Sequence, residues 1–598
     1  MSHQDARPAT SSVGPSRPRS ASAPALTALV IGPSAAQVWD APEVPRAAIV
    51  TRDAGAAEGS AATRTVLPLP EALDLAARLE AEQRPRWAWW SADGAARHLV
   101  AAGIRPARAW DVAEVHRLLA GGWAATPDLA WALAHGLDPD SRPAPPAGGL
   151  LDALAVDAGA DPDSATHPPT AGATVGHLRP DAVAGTWQVT DRRLSAWADA
   201  LLDCAAAQYR LATATHPRIA ATALSESAAA VLCEELRADG LPVDRPALLR
   251  IVEPLSGPPD QRDAAVFSLV PGLEHTDLRH PAGVKAMLRS VGLDVPNTRK
   301  YVLETFRDVH PVVPALLQWR KAERIATTYG LRWIEQNIGA DDRLRGEWRV
   351  CDGAAGRMTA EAGLHNLPAM LRPAVRADEG HVFVRADLGQ IEPRVLAVVS
   401  GDRGLAEATQ DDDLYAPVAA RLGVERPVAK VAVLAAMYGQ RSGSAGRALE
   451  GLERAYPVAM GLLDRAYDAG RLGREIRTFG GRLIPTSRFL AEHPVGTEPT
   501  LDAARGRFVR NAVIQGAAAE FFKAWAATVR ATTRALGARI VLCLHDELLV
   551  HVPIERAEDA AAAVDAALAD AAGRWSGGAP VRFVADTSVI ERWSDAKD

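Results

Sequence analysis

The stretch HVFVRADLGQIEPR, residues 381–394, decides the fold of the C-terminal part of this 598-residue chain. Its alternating first half predicts a β-strand that ends at Asp387. A turn then opens a predicted helix that carries Gln390, Glu392 and Arg394. A carboxylate at a strand end suits a hard cation such as Mg²⁺, although an Asp in this position also commonly caps a helix.

A second stretch, ARIVLCLHDELLVHVP, residues 538–553, has two apolar runs on either side of the triplet His545-Asp546-Glu547. It predicts a β-hairpin with the acids exposed at its tip. Because leucines flank the triplet, it is expected near a buried sheet, where charged groups usually have a metal or another partner. An ordinary polar turn is the alternative.

Two predicted helices lie between these strands. In RPVAKVAVLAAMYG, residues 426–439, spacing by four puts the following side chains on one face: Arg426, Lys430, Leu434 and Tyr438. Two cations on one face repel each other unless a polyanion such as a triphosphate lies opposite. An amphipathic helix with two solvated cations is the alternative.

The second helix, RFVRNAVIQGAAAEFFKAW, residues 507–525, repeats Arg507, Asn511 and Gln515 on one face. Such long side chains can donate to base edges in the minor groove of DNA. The helix overlaps a basic region, residues 471–510, with eight Arg against four acids. This region is either a surface for a polyanion or a solvated face.

Composition excludes several classes of protein. The chain has 48% hydrophobic and 23% charged residues, which is typical of a soluble protein of several globular domains. Its four cysteines form no C-x-x-C pair, which argues against a zinc site and a disulfide framework. The net charge of −7 excludes a strongly basic coat but allows a local basic groove. Without a membrane-spanning apolar run or an export pattern, a cytoplasmic protein is expected.

Composition also changes along the chain. Residues 1–25 are rich in Ser, Pro and Arg and predict a disordered tail. Residues 26–135 alternate short apolar runs with helical stretches, which predicts a small α/β domain. Residues 137–185 predict a long loop or linker, and residues 187–335 are mainly helical in pattern.

In this fixed order the segments resemble DNA polymerase family A, the DNA polymerase I family. DLGQIEPR and LHDELLVHVP resemble its two carboxylate motifs, and RPVAKVAVLAAMYG its fingers helix. GRMTAEAGLHNLP (356–368) resembles the family's T-G-R-L-S-S…L-Q-N-I-P stretch, RNAVIQGAAAE its I-N-A-P-I-Q-G-T-A-A-E segment, and LRADGLPVD (236–244) its entry to the thumb. The resemblance covers about residues 215–598.

The resemblance implies an α/β multidomain fold. Residues 26–210 would form a ribonuclease H-like domain of the 3′–5′ exonuclease type, and residues 211–598 a right-hand polymerase without a 5′ nuclease domain. The polymerase would comprise a helical thumb (about 215–345), a palm with an antiparallel sheet (about 346–400 and 500–598) and helical fingers (about 401–499).

The implied activity is template-directed addition of deoxynucleotides to a primer 3′ end, in repair or gap filling. Two Mg²⁺ ions, or Mn²⁺, would be held by Asp387 and Asp546, with Glu547 as a further catalytic acid. The expected partners are primer-template DNA and dNTPs. The protein is expected to be a monomer that associates with the nucleoid.

The resemblance also assigns binding residues. The incoming nucleotide would contact Gln390, Glu392, Arg426, Lys430, Leu434 and Tyr438. The primer and template would contact Arg357, Arg507, Asn511, Gln515 and His545. Within the first set, Arg426 and Lys430 would hold the phosphates, Tyr438 would pack at the templating base, and Glu392 would exclude a ribose 2′-OH.

The chain departs from the family pattern in the fingers. Leu434 replaces an aromatic residue that stacks beside the sugar, which predicts altered dideoxynucleotide discrimination. Leu388-Gly389 replaces Tyr-Ser after the first carboxylate. The segment between Tyr438 and the Thr478-Phe479-Gly480-Gly481-Arg482 stretch is short, which predicts a missing fingers subdomain.

The N-terminal domain lacks most of the expected exonuclease acids. The D-x-E pattern is absent from LTALVIGPSAA, residues 26–36, and Asp111 alone matches the second acid. Asp199 and Asp203 could lie near the third element, but its Tyr-x-x-x-Asp pattern is missing. We therefore expect an inactive exonuclease fold. A bifunctional exonuclease and polymerase, a phage-type RNA polymerase and a non-catalytic DNA-binding scaffold remain as alternatives.

Overall fold

A computed structural model describes most of the chain. The described residues are 25–38, 41–53, 62–143, 161–169, 172–439, 445–486, 495–496 and 498–596. The predicted disordered tail, residues 1–25, lies outside them apart from Ala25. None of the described helices is both long enough and apolar enough to cross a membrane.

A five-stranded sheet forms the centre of the N-terminal domain, in the segment predicted to be a small α/β domain. Its strands are β1 to β5 (Leu26–Ile31, Arg46–Arg52, Thr63–Pro68, Arg86–Trp89 and Arg108–Asp111). They lie in the order β3-β2-β1-β4-β5, with β1, β4 and β5 parallel and β2 antiparallel to both of its neighbours. The helices are α1 to α6 (Leu69–Glu82, Ala96–Ala101, Val112–Ala120, Pro127–His135, Pro180–Val183 and Asp191–Thr215).

The two faces of this sheet pack into different cores, because successive strand residues point to opposite faces. On β1, Ala28 and Val30 pack into a core with Leu201 of α6. Leu29, between them, belongs to a larger core that continues into the C-terminal half. One face of the sheet therefore shares a core with the C-terminal half of the chain.

Residues 137–185, predicted as a long loop or linker, form a loop in their described part. Residues 144–160 and 170–171 lie outside the described part. In the described part, Leu178 and Ala182 are buried in the domain core, and Trp131 Nε1 donates to the Gly176 carbonyl at 2.9 Å. This segment is a largely irregular loop that packs on the domain through a few buried apolar side chains. Its Pro- and Gly-rich composition does not predict this packing.

The middle of the chain is mainly helical, as predicted. Its helices are α7 to α13 (Ile219–Asp239, Arg245–Val252, Pro259–Phe267, Pro281–Ser290, Lys300–Glu304, Val312–Thr328 and Leu331–Asn337). Two-residue strands β6 to β9 accompany them (Leu241–Pro242, Arg343–Leu344, Trp348–Arg349 and Thr359–Ala360). Helices α9 to α12 enclose a small core of their own, around Leu288 and Leu316.

The C-terminal part contains an antiparallel sheet and long helices. Its strands are β10 to β15 (His381–Leu388, Ile476–Arg477, Leu483–Ile484, Arg539–Leu544, Glu547–Pro553 and Ala585–Ile590). Its helices are α14 to α21 (Ile391–Ser400, Arg403–Ala408, Tyr415–Leu422, Arg426–Tyr438, Ala445–Ala455, Pro457–Arg471, Pro499–Thr533 and Ala557–Ser576). The sheet order β13-β14-β10-β15 is antiparallel throughout. The expected α/β multidomain class is therefore confirmed.

Three fully buried charges connect these parts. Glu226 of α7 accepts from Lys523 of α20 at 2.5 Å and forms an ion pair with Arg482, beside β12, at 2.7 Å. Lys523 also donates to the Gly356 carbonyl at 2.8 Å, directly before Arg357. Because a buried charge is tolerated only when it is paired, this cluster fixes the position of α20 relative to residue 357.

Asp111, the candidate exonuclease acid, has a structural role at the end of β5. Its carboxylate accepts hydrogen bonds from Trp89 Nε1 at 2.9 Å, the Ala92 amide at 2.7 Å and the Glu114 amide at 2.9 Å, and it caps α3. Burial raises its pKa to about 7. The three donors occupy both oxygens of the carboxylate.

We predict that Asp111→Ala destabilises the N-terminal domain by about 1–3 kcal/mol, because it leaves three buried donors unsatisfied. Thermal unfolding followed by tryptophan fluorescence would detect the loss. Asp74→Ala, on the exposed side of α1, is the control and should change little. Equal melting temperatures for wild type and Asp111→Ala would contradict this role.

Candidate active site

Strand β10 holds Asp387 at the centre of the antiparallel sheet. In the register, Asp387 lies opposite Glu547 of β14 on one side and Asp586 of β15 on the other. The next amide, that of Leu388, donates to the Asp546 carbonyl at 2.9 Å. The two carboxylates predicted to act together, 159 residues apart in sequence (546 minus 387), are therefore neighbours in the fold.

The structure changes one expectation about the hairpin. Strands β13 and β14 flank a tight turn at His545 and Asp546, as predicted. The acids are not exposed at its tip, however, because Glu547 is only 6% exposed and Asp546 is half-buried. The pairing with β10 covers Glu547, a long-range contact that the local turn pattern does not contain.

The electrostatics of this site favour bound positive charge. Burial raises the pKa of Asp387 to about 6, and the negative charge of nearby Asp546 adds to the effect. Burial also raises the pKa of Asp546. A cation placed between the two carboxylates would reverse these shifts, since opposite charge favours the ionised form.

Arg385 is a residue of this site that the sequence analysis missed. It lies two residues before Asp387 on the same strand, and therefore on the same face. Its guanidinium contacts three acids: Asp387 at 2.8 Å, Glu547 at 2.7 Å and Asp586 at 3.2 Å. Its side chain is only 10% exposed. The two-residue spacing is the signal that would have pointed to it.

Glu547 has a second fixed partner. Trp593 Nε1 donates to the same oxygen, Oε1, at 2.9 Å, and the indole is 1% exposed. Arg385 and Trp593 together hold the Glu547 carboxylate toward the interior of the sheet. Glu547 is therefore held by two partners, whereas Asp387 and Asp546 are more open.

The helix after β10 is anchored by Arg394, which the sequence placed on this helix without a role. Arg394 is 0% exposed and donates to the backbone carbonyls of Gly389, Thr409, Asp411, Asp412 and Arg582, at 2.6–3.1 Å. It thereby holds the loop at residues 409–413 against the start of α14. Its role depends on contacts distant in sequence, so no local pattern would have found it.

This loop presents Asp413 to two predicted nucleotide-site residues. Gln390 Nε2 donates to Asp413 Oδ1 at 3.0 Å, and Arg426 NH2 donates to the same oxygen at 3.1 Å. Gln390 also has a left-handed backbone, with φ of 54°, as does His545 beside Asp546. Non-glycine residues in this conformation are strained and are enriched at functional sites.

Helix α17 begins at Arg426 and ends at Tyr438, as predicted. Arg426, Lys430 and Tyr438 are exposed, whereas Leu434 is half-buried. In the described part of the chain, Lys430 has no ion pair, and neither cation is paired with Asp387 or Asp546. The predicted stripe therefore faces outward, and the structure does not bring it into contact with the two carboxylates.

A small cavity brings together four predicted residues beside Asp546. It measures about 110 Å³ and is lined by Arg357, Glu392, Gln515 and His545, besides apolar side chains. Arg357 donates to Glu392 at 2.9 Å, while burial raises the pKa of the Glu392 carboxyl. The cavity is lined by groups able to bind a polar ligand next to the carboxylates.

The remaining predicted primer-template residues also lie on α20, on the N-terminal side of Gln515. Arg507 is exposed, and its side chain passes close to Gly439 at the end of α17. Asn511 is half-buried, and its Oδ1 is buried without a hydrogen-bond partner among the described residues. With Gln515, these side chains extend from the cavity toward α17.

The basic region is partly internal and partly solvent-exposed. Four of its arginines, Arg477, Arg482, Arg505 and Arg510, contact backbone carbonyls or acids within the protein, whereas Arg471, Arg474 and Arg507 are exposed. Arg488 lies outside the described residues. Charge counting missed this outcome because it cannot distinguish a solvated Arg from one that satisfies buried carbonyls.

The second set of candidate exonuclease acids is also engaged. Asp199 pairs with Arg64 at 2.9 Å and Asp203 pairs with Arg52 at 2.5 Å, so both tie α6 to the sheet. The described residues contain no group of three or more His, Cys, Asp or Glu side chains arranged to hold a metal. Asp387 and Asp546 would therefore form a partial ligand set, which suits Mg²⁺ completed by water and substrate oxygens.

Comparison with known proteins agrees with the geometry. The sequence pattern that defines DNA polymerase family A matches residues 283–595. Thermostable DNA polymerase I of Thermus thermophilus is 28% identical over 331 residues, covering 50% of this chain and 38% of the relative. DNA polymerase I of Chloroflexus aurantiacus is 31% identical over 290 residues, covering 44% of this chain and 30% of the relative.

A solved structure matches the whole fold. The POL domain of Pol1 from M. smegmatis, in complex with DNA primer-template and dNTP, aligns with a TM-score of 0.66 and 21% identity, covering 96% of each chain. The matched segments span only about a third of the two curated relatives described above. Since the family pattern covers more than half of its residues, the chain belongs to DNA polymerase family A.

Proposed function

We propose that this protein is a template-directed DNA polymerase that adds deoxynucleotides to a primer 3′ end, in repair or gap filling. The observation that carries the proposal is the register that sets Asp387 beside Asp546. Family membership and the likeness to a polymerase solved with primer-template and dNTP support it. We further propose that it acts as a monomer in the cytoplasm, at the nucleoid.

Family A polymerases depend on divalent metal ions, and the site fits such ions. Asp387 and Asp546 would hold them, since both carboxyls have pKa values raised by burial and lie next to each other. When bound, two Mg²⁺ or Mn²⁺ ions would supply Lewis-acid stabilisation of the charge that develops during nucleotidyl transfer. Glu547 and Arg385 would keep the strand ends and the Asp387 carboxylate in place.

The dNTP site would lie between α14 and α17. Lys430 and Arg426 would bind the triphosphate, and Arg426 would exchange Asp413 for a phosphate oxygen. Tyr438 would pack at the templating base. Because reaction by phosphoryl transfer depends on positioning and charge neutralisation, these cations need no covalent role.

Sugar selection would fall to the cavity beside Asp546. Glu392, held by Arg357, would exclude a ribose 2′-OH. The Gln390 side chain, which accepts from the Leu414 amide, would hold the backbone before Glu392 in position. Leu434 would contact the sugar without the flat surface of an aromatic ring. The half-buried position of Leu434 on α17 is consistent with such a contact.

The primer-template would lie along α20 and the hairpin turn. Arg357, Arg507, Asn511, Gln515 and His545 would contact its backbone and minor groove. The minor groove offers similar acceptors for every base pair, so such contacts would not select a sequence.

We propose that the N-terminal domain does not hydrolyse DNA. Asp111 is committed to three hydrogen bonds, and Asp199 and Asp203 are committed to arginines. The thumb, palm and fingers would follow the boundaries implied by the family. The palm would be built on the sheet of β10, β13, β14 and β15.

Primer extension on a gapped template tests the proposed function. We expect Asp387→Ala and Asp546→Ala each to lower the extension rate by about a thousandfold or more, since each removes a metal ligand. Asp559→Ala, an exposed acid on α21, should keep wild-type activity.

The same assay separates the alternatives. Extension with rNTPs but not dNTPs would favour an RNA polymerase. Binding of the template without extension in either Mg²⁺ or Mn²⁺ would favour a scaffold. Metal-dependent shortening of single-stranded primer would contradict the proposed inactivity of the N-terminal domain.

Replacement of Leu434 tests its contact with the sugar. We expect Leu434→Phe to shift the ratio of ddNTP to dNTP incorporation and to lower the KM for dNTP by about three- to tenfold, because the ring adds stacking area. Val431→Phe places a ring at an exposed position on the same helix and is the control. Identical incorporation ratios in wild type and Leu434→Phe would contradict the contact.

Arg385 is expected to compete with metal ions for Asp387. Arg385→Ala should therefore bind Mn²⁺ on the order of tenfold more tightly and should melt at a lower temperature without metal, because three carboxylates lose their counter-ion. Electron paramagnetic resonance of free Mn²⁺ and thermal unfolding would measure both effects. Arg349→Ala, in an exposed pair with Glu361, is the control. Weaker or unchanged Mn²⁺ binding would rule out competition.

A further inference from the structure

Asp586 is an acid of the palm sheet to which the proposed function gives no role. It lies on β15, the strand at the edge of the sheet, directly opposite Asp387 in the register. Its side chain is 70% exposed, against 35% for that of Asp387. Among the described residues its only ion pair is with Arg385, at 3.2 Å. Asp586 is therefore connected to Asp387 through one shared guanidinium.

The Arg385 guanidinium divides its three nitrogens among three acids. Nε donates to Glu547 at 2.7 Å, NH2 donates to Asp387 at 2.8 Å and NH1 donates to Asp586 at 3.2 Å. A guanidinium is planar, and its donors point in fixed directions. A rotation about the Nε end can therefore weaken the contact with one aspartate while it strengthens the contact with the other.

Glu547 provides a fixed anchor for such a rotation. Its Oε1 accepts from Arg385 Nε and also from Trp593 Nε1, at 2.9 Å. The Glu547 side chain is 8% exposed, and the Trp593 ring is buried. The Nε end of the guanidinium is thus held from inside the sheet, whereas its two terminal nitrogens face the more open aspartates.

Positive charge at Asp387 creates a problem that Asp586 can solve. A guanidinium that stays on Asp387 repels a divalent ion bound to the same carboxylate and lowers its affinity. The Arg385 side chain is only 10% exposed, and a buried charge without a full set of partners is costly. An acid beside Asp387 that faces the solvent can take over the guanidinium and leave Asp387 available. Asp586 occupies that position.

We propose that Asp586 is a positioning residue, which draws the Arg385 guanidinium away from Asp387 when a divalent ion binds there. Glu547 keeps Nε of the guanidinium in place, and Asp586 binds its terminal nitrogens. Asp586 acts on the metal site only through Arg385. The proposal rests on the proposed function, since it takes Asp387 as a metal ligand, and it names the partner that receives the displaced guanidinium.

A double-mutant cycle on Mn²⁺ binding by the full chain, followed by electron paramagnetic resonance of free Mn²⁺, tests the proposal. We expect Asp586→Asn to weaken binding about three- to tenfold, because Arg385 then stays on Asp387. In an Arg385→Ala background the same replacement should change binding by less than about twofold, since no guanidinium has to move.

Asp565→Asn is the matched control. Asp565 is an exposed acid on α21 that accepts from Thr587 Oγ1, at 2.6 Å, one residue after Asp586. Because strand side chains alternate, Thr587 points to the other face of the sheet. Asp565→Asn therefore removes one nearby negative charge without touching Arg385, and it should bind Mn²⁺ like wild type. Asp586→Asn should melt close to wild type in EDTA, since exposed ion pairs contribute little to stability.

The outcomes separate this proposal from its alternatives. Equal weakening by Asp586→Asn in both backgrounds would overturn it, because Asp586 would then act as a metal ligand or through its charge alone. Wild-type Mn²⁺ affinity in Asp586→Asn would also overturn it. In either case Asp387→Ala would still lose Mn²⁺ binding and primer extension, whereas an Asp387→Ala variant that keeps both would contradict the proposed function itself.

Discussion

The pairing of β10 between two antiparallel neighbours is the constraint on which the proposed site depends. It brings three acids into one row across the sheet: Asp387, Glu547 and Asp586. Because strand side chains alternate between faces, a slip of one residue would turn Asp387 away from this row. Val382 and Val384, both buried, oppose such a slip, since it would move them to the other face. The apolar core thus sets the position of the acids.

The negative charge of these three neighbouring carboxylates must be balanced by positive charge inside the protein. Arg385 supplies part of it, lying among the three acids with its side chain 10% exposed. The raised pKa of Asp387 indicates that compensation is incomplete before ligands bind. A site of this kind is prepared to accept divalent cations, while the internal guanidinium keeps the sheet stable without them.

Internal ion pairs also set the surroundings of the site. The buried cluster of Glu226, Arg482 and Lys523 ties the helical middle of the chain to α20 and to the segment that leads into Arg357. Arg394 performs a similar function for the loop that carries Asp413. In both cases a buried guanidinium serves as internal support, which counting charges along the chain does not reveal.

Local pattern predicted the elements well and the contacts between them poorly. The strand at 381–388, the hairpin at 539–553 and the helix at 426–438 follow from periodicity and turn residues within a dozen positions. The order of these motifs along the chain then indicated DNA polymerase family A. The burial of Glu547 and the contacts of Arg385 with Glu547 and Asp586 arise between residues more than 150 positions apart, and no local signal encodes them.

The central claim is that Asp387 and Asp546 share divalent ions in the working enzyme. Anomalous X-ray diffraction from crystals soaked with Mn²⁺, with a dideoxy-terminated primer-template and an incoming dNTP, tests it most directly. If the two carboxylates share the ions, anomalous peaks are expected within coordination distance, about 2.0–2.6 Å, of both carboxylates. Peaks that contact neither Asp387 nor Asp546, in crystals with the nucleotide bound, would contradict it.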